Sequence, residues 1–292
     1  MIFGKKYFMV KIQSLIINFI ILKIKALYFI KKSLAVSYCI ELFCSPHVKR
    51  KKNPKIKRQY DKAKCTKLSI NGQSVMTYDF GDVDDPPILL VHGWEGQAGD
   101  FYRLIPSLLD AKYRVITFDG PAHGESTGKT TNMIDFAKVI KHILDVYSLD
   151  FECAIGHSFG GASLIYSVSK LRVNNVKKLI TVSSPDKVST IFNNFFEMMD
   201  INENLSKLFI LTLENQTGVK VNDLSLSEMY KKVLNPSMII HDEGDKVVPF
   251  DDAKNISKVL PRLLFYKTKG FGHVRILHEK SVHNKILEFI KD

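Results

Sequence analysis

An α/β domain with a mostly parallel sheet is the fold class this sequence predicts. Three observations carry the prediction. Short, solidly apolar runs recur along the chain from residue 87 onward. Segments of helical length and period stand between them, and a hairpin signal precedes them all.

Residues 66–70 and 74–80 read as two strands joined by Asn71-Gly72, a two-residue turn whose positions both tolerate positive φ. The run PILLV at 87–91 has no polar face, as in a strand buried on both sides of a parallel sheet. Similar runs follow at 113–118, 151–155, 178–182, 237–240 and 263–266. Helices are expected at 101–109, 133–147, 161–171, 251–259 and 280–290; in 133–147, Ile134, Ala137, Ile140, Ile143 and Tyr147 recur at helical spacing. The interval 186–235 breaks the rhythm, with no strand signal. It carries two apolar helical stripes, one with Phe192, Phe195 and Phe196 and one with Leu205, Phe209 and Leu213. Ordinary α/β connections run about 2–6 residues, so 186–235 is expected to be a helical lid inserted into a domain spanning 61–292.

The bulk composition fits a globular chain: 292 residues, 45% apolar and 25% charged. A net charge of +12 suggests a polyanionic partner until its distribution is read. Residues 1–70 hold 17 of the 42 Lys and Arg against only Glu41 and Asp61, a balance of +15, while 71–292 is −3. No aromatic-basic recognition pattern accompanies the charge, so nucleic acid is not an expected partner. Cys39, Cys44, Cys65 and Cys153 form no metal-binding spacing and no disulfide framework, which fits a reducing compartment and argues against secretion.

Residues 1–60 form an apolar, lysine-rich leader. Its longest uncharged stretch near the start is 12–22, short of the roughly 18–20 residues a spanning helix needs. Lys23 and Lys25 would fall near mid-membrane, at a cost of about 2.5–3.5 kcal/mol each. No small-x-small cleavage site follows. One or two helices lying in a membrane interface are expected instead, with the basic run Lys49-Arg50-Lys51-Lys52, Lys55, Lys57 and Arg58 meeting anionic headgroups. The predicted location is cytoplasmic, or peripheral on the cytoplasmic face through 1–58.

Gly156-His157-Ser158-Phe159-Gly160 follows the strand 151–155 and opens a helix. This is G-x-S-x-G in the strand-turn-helix setting of a nucleophile elbow. The tight turn strains the serine backbone and brings the flanking glycines close together, so both are expected to lack a Cβ for steric reasons. Four further segments accompany the elbow. His92-Gly93-Trp94 follows strand 87–91. Asp119-Gly120-Pro121-Ala122-His123-Gly124-Glu125-Ser126 is close to D-x-x-G-H-G-x-S. His241 to Pro249 and Gly270-Phe271-Gly272-His273 come last. In these segments, over about 66–292, the chain resembles the α/β-hydrolase superfamily. It departs at Ala122, where Gly is usual, and Gly120-Pro121 is expected to supply the flexibility there.

The resemblance implies an eight-stranded type of sheet flanked by helices and the order serine, acid, histidine. Ser158 is the expected nucleophile and His273 the base, with His278 and His283 as rivals and His157 pointing away. Asp245 is the expected acid. Asp242 is read as capping the turn, Asp251 and Asp252 as helix N-cap and first-turn residues, and Asp186 as the outside candidate. The backbone amides of Trp94 and Phe159 would form the oxyanion hole, supported by His92, Gly93, Gly156 and Gly160. His92, Asp119 and His123 are expected to shape loops rather than react. The function so implied is hydrolysis of a small-molecule ester or related acyl bond, lipid-derived if the apolar stripes line the pocket, with no metal or organic cofactor. A thioesterase, acyltransferase or cofactor-free haloperoxidase on the same scaffold, and a non-catalytic binding member, are the alternatives.

Overall fold

A computed structural model of the chain describes residues 2–47, 60–70, 72–259 and 263–292. Two helices come first, α1 (Ile2–Ile30) and α2 (Lys32–Cys44). Strands β1 (Lys64–Ile70), β2 (Gln73–Phe80) and β3 (Pro87–Val91) follow, then α3 (Leu104–Asp110), β4 (Arg114–Asp119), α4 (Met133–Tyr147), β5 (Phe151–His157) and α5 (Phe159–Leu171). The rest of the chain is β6 (Val176–Val182), α6 (Val188–Met198), α7 (Glu203–Thr217), α8 (Leu226–Tyr230), β7 (Ser237–Asp242), α9 (Phe250–Lys258), β8 (Leu264–Thr268), α10 (Gly272–Arg275) and α11 (Lys280–Lys291).

These elements form two compact units, one of Pro46–Lys187 with Ser225–Asp292 and one of Met1–Ser45 with Val188–Leu224. In the first, eight strands make one sheet in the order β1-β2-β4-β3-β5-β6-β7-β8. β1 pairs antiparallel with β2, and β2 with β4; every other pairing is parallel. This is the α/β sheet the sequence predicts. β3 and β5 are solidly apolar because the sheet buries them from both sides: Ile88, Leu90, Cys153 and Ile155 belong to a core shared with Phe101 and Leu108. Cys153 is a buried free thiol. Helix α4 takes its predicted bounds because both ends are signalled. Asn132 accepts from the Ile134 and Asp135 amides, and Ser148 ends the helix in the left-handed conformation. At the hairpin Asn71 lies outside the described residues, while Gly72 adopts φ 76° and Ile70 pairs with Gln73.

The second unit is built from segments far apart in sequence. Its core joins Ile24 of α1, Ala35, Val36 and Cys39 of α2, Phe192, Phe195 and Phe196 of α6 and Phe209 of α7. The rings of Phe43, Phe192, Phe195 and Phe196 each meet Phe209 at 5.2–5.9 Å between centroids, mostly edge to face. Asn202 caps α7 by accepting from Leu205, and Gly218 closes it at φ 69°.

The apolar stripes of the insertion face the leader helices and one another, so their aromatic residues form the core of this unit. One expectation changes here: the inserted segment is narrower than 186–235. Residues 225–235 belong to the sheet unit, where Tyr230 is fully buried and its hydroxyl meets Thr181 Oγ1 at 3.0 Å. The basic run 49–58 lies outside the described residues. Among the described residues, no helix is long and apolar enough to cross a membrane.

Candidate active site

The loops after β3, β5, β7 and β8 carry the predicted site residues. β5 joins β3 to one side and β6 to the other, while β3 connects across to β4, so strand order reverses at β3. Crevices at the carboxyl ends of parallel strands, beside such a reversal, are where ligands bind in open α/β sheets.

Ser158 sits between β5 and α5 with φ 51° and ψ −122°. A left-handed φ at a non-glycine residue costs about 1–3 kcal/mol and persists only where its surroundings enforce it. The Ser158 amide donates to Val182 O at 2.8 Å, and the Gly161 and Ala162 amides donate back to Ser158 O at 3.0 and 3.2 Å. The glycines are needed for close approach. A Cβ on Gly156 would stand 2.5 Å from Gly161 Cα and 2.8 Å from Gly160 O, which is the approach expected. One on Gly160 would also stand 2.3 Å from His92 O, in the loop after β3. Gly161 was missed. A Cβ there would fall 2.0 Å from Ser184 Oγ, and its only signal was the doubled glycine after Ser158-Phe159.

His273 Nδ1 donates to Asp245 Oδ2 at 2.8 Å. That fixes the tautomer and leaves Nε2 bare to accept from the Ser158 hydroxyl, 3.1 Å away. The other Asp245 oxygen accepts from the Val247 and Val248 amides at 2.8 and 3.0 Å. Burial pushes the Asp245 carboxyl up, but the bonds from His273 and from these amides outweigh it and hold its pKa below the ordinary value. Asp245 is therefore an ionised, fixed acceptor.

The rivals are occupied elsewhere. His283 bonds Ser107 Oγ and Leu277 O through its two ring nitrogens, and His278 packs its ring 4.9 Å from Tyr102. Asp186 accepts from Ser225 Oγ and the Ser227 amide. Asp252 accepts from the Asp186 amide in the first turn of α9, whose N-cap is Pro249 and not an aspartate.

Three residues hold the site together beyond what the motifs foretold. The His157 ring lies 4.9 Å from the His273 ring and its Nε2 meets His273 O at 2.8 Å, so it anchors the base's own backbone. Asp242 does more than cap a turn. Its oxygens accept from the Gly244 and Gly270 amides, Thr268 Oγ1 and the Phe271 amide, tying the acid loop to the histidine loop. Burial raises its pKa, but these donors prevail and the carboxyl lies below its ordinary value. His241 Nε2 donates to Val248 O at 3.0 Å and stands 3.6 Å from Asp245 Oδ2, so Asp245 lies between two imidazoles. Burial lowers the His241 pKa, which keeps that ring neutral.

The loop after β3 lies against the nucleophile. A Cβ on Gly93 would stand 3.2 Å from Ser158 Cβ, and the Trp94 and Phe159 rings meet edge to face at 5.3 Å. His92 is fully buried; its Nδ1 donates to Gly93 O and its Nε2 accepts from the Gly120 amide. His123 accepts from the Glu95 amide and donates to Pro121 O. Asp119 accepts from Tyr78 and from the Ala98 and Glu125 amides. These three shape loops, as expected. The departure at Ala122 resolves differently from the expectation. Ala122 itself takes φ 64°, while Gly120 is glycine because a Cβ would fall 2.0 Å from the Phe136 ring.

Comparison with known proteins agrees with this architecture. Residues 86–225 match the family model described as alpha/beta hydrolase fold. The chain is 24% identical over 268 residues to a bifunctional esterase/perhydrolase of Acinetobacter calcoaceticus, covering 76% of this chain and 97% of that protein. It is 29% identical over 275 residues to a non-heme chloroperoxidase of Streptomyces lividans, covering 77% and 99%. Among solved structures, a bacterial membrane phospholipase A superposes with a TM-score of 0.63 at 11% identity over 98% of both chains. Its sheet, its elbow and these matches give the chain the α/β-hydrolase fold.

Proposed function

We propose that this chain is a serine hydrolase that cleaves a carboxylic ester or related acyl bond through an acyl-enzyme. The observation that carries the reading is the unbroken relay from Ser158 through His273 to Asp245, at 3.1 and 2.8 Å. A neutral serine is a weak nucleophile and needs such a base, and the base needs an orienting anion. Ser158 Oγ attacks the carbonyl carbon while His273 Nε2 takes its proton. The carbonyl oxygen becomes an oxyanion, for which the Trp94 and Phe159 amides are the proposed donors. Phe159 begins α5, where free N–H groups and the helix dipole favour negative charge, and each such donor lowers the barrier by about 2.7–4 kcal/mol. His273 returns the proton to the departing alkoxide. Water, deprotonated by the same imidazole, then frees the acid and restores Ser158. Asp245 stays ionised throughout and stabilises the imidazolium.

A fluorophosphonate probe tests the reading, because it reacts only with an activated serine. The wild-type chain is expected to label and to hydrolyse a p-nitrophenyl ester. Ser158→Ala abolishes labelling and lowers turnover by about 10⁴-fold or more. An unlabelled wild type, or labelling that survives the substitution, rejects it. An acyl-chain series on the same assay reads the acyl preference; we expect long apolar chains, in keeping with the apolar leader. Two of the relatives, an esterase/perhydrolase and a non-heme chloroperoxidase, favour one variant of the reading. In it hydrogen peroxide replaces water in the second step and the product is a peracid. Peracid formation from acetate and peroxide, absent in Ser158→Ala, separates it from hydrolysis alone.

A further inference from the structure

Helix α1 is apolar on two opposite faces. One face packs inward through Ile20, Ile24, Leu27 and Tyr28. On the other Leu15, Ile16, Phe19, Leu22, Phe29 and Ile30 are exposed, Phe29 to 92%. Positions 15, 19, 22, 26 and 29 recur every three or four residues, so they form one continuous stripe along the helix, and exposed Leu34 follows at the start of α2. Among the described residues fifteen large apolar side chains are exposed, and seven of them fall within 15–34. Single exposed apolar residues are ordinary, whereas a contiguous stripe marks an interaction surface. A helix apolar all round is normally covered all round.

Charge indicates what covers it. Residues 1–70 carry 17 Lys and Arg against two acids. Lys23 and Lys25 lie on opposite flanks of the stripe, and Lys31 and Lys32 are exposed where α1 meets α2. Lys23 Nζ rests over the Tyr38 ring and Lys25 pairs with the exposed Asp200, contacts that leave their stems beside the apolar face. Lysines so placed can snorkel to headgroups while the stripe dips below them. Two copies of the chain meeting on this face would bring like charges together.

We propose that the exposed face of residues 15–34 is a docking surface for an anionic lipid bilayer, with α1 lying in the plane of the interface and the flanking lysines on the headgroups. Docking in this way is independent of the reaction at Ser158. The test uses the full chain with vesicles of pure phosphatidylcholine and of phosphatidylcholine mixed equally with phosphatidylglycerol. The chain is expected to sediment with the mixed vesicles, to bind the neutral ones far less, and to be released by salt. Phe19→Asp with Leu22→Asp removes exposed side chains only and lowers binding by about tenfold or more. Because a doubly charged helix could unfold, Phe19→Trp supplies a second readout: the emission of the added indole is quenched by lipids brominated along the acyl chain. No sedimentation with the mixed vesicles, equal binding to both kinds, or an added indole that stays unquenched would overturn the proposal. So would a lipid-free dimer, seen by sedimentation velocity, that the Asp pair dissociates, since the stripe would then belong to a second copy.

Discussion

The sheet unit and the helical unit are stabilised in different ways. In the sheet unit, position is enforced by hydrogen bonds at strand ends: four loops converge, and Asp242 alone receives four donors from two of them. In the helical unit, position is enforced by packed rings, with Phe209 surrounded by four other phenylalanines. Hydrogen bonds are directional and fix atoms to within tenths of an ångström, which a proton relay needs. Ring packing fixes volume and tolerates exchange of similar shapes.

This contrast can be broken or sharpened by three substitutions. The largest effect is expected from Phe209→Ala, which removes a fully buried ring and costs about 3–5 kcal/mol. Hydrogen exchange should show the loss in α2, α6 and α7 while the β5 and β6 amides keep their protection. If protection falls equally throughout, the two units unfold as one and the contrast is overstated. Next is Asp242→Asn, expected to cost roughly 2–3 kcal/mol by denaturant titration, because an amide replaces a charged acceptor facing four donors. Its pH dependence has a definite sign. The folded pKa of Asp242 is depressed, so its contribution is present above the unfolded value of about 3.9 and is lost as pH falls through the folded one. Wild type should therefore lose its advantage over the variant on acidification; an advantage that grew in acid would refute the assignment. The smallest effect is expected from Ala122→Gly, a gain of about 0.5 kcal/mol measured by thermal melting, because glycine relieves φ 64° at the price of a more flexible unfolded chain.

The same contrast explains what could be read from the sequence. Strand β3 and helix α4 were legible to the residue, because an unbroken apolar run and a pair of capped ends are local signals. Ser158, Asp245 and His273 were legible because a nucleophile elbow and its partners impose residue types in a fixed order, and the relay geometry agrees with that order. Strand ends were cut short: β5 runs on to His157 and β7 to Asp242, since site residues at strand tips are polar and break the apolar run. The roles of His157 and Asp242 were hidden because they act through backbone atoms of loops more than twenty residues away. The pairing of the leader with α6 and α7 was invisible for a related reason. Each stripe announced that it needed a partner, but nothing local says which of several stripes it will choose.

The base of the inserted segment has one more consequence. Lys187 bridges Ser225, the Leu226 amide donates to Asp186 O at 2.7 Å, and the Asp186 carboxylate holds Ser225 and Ser227. The chain therefore leaves the sheet between β6 and β7 and returns to it at one clasped point. Closing a longer or shorter excursion across such a clasp changes the entropy little, about 0.6 kcal/mol per doubling of length. Evolution, or an engineer, can thus exchange everything between Lys187 and Ser225 as a cassette while the strands beneath keep their register.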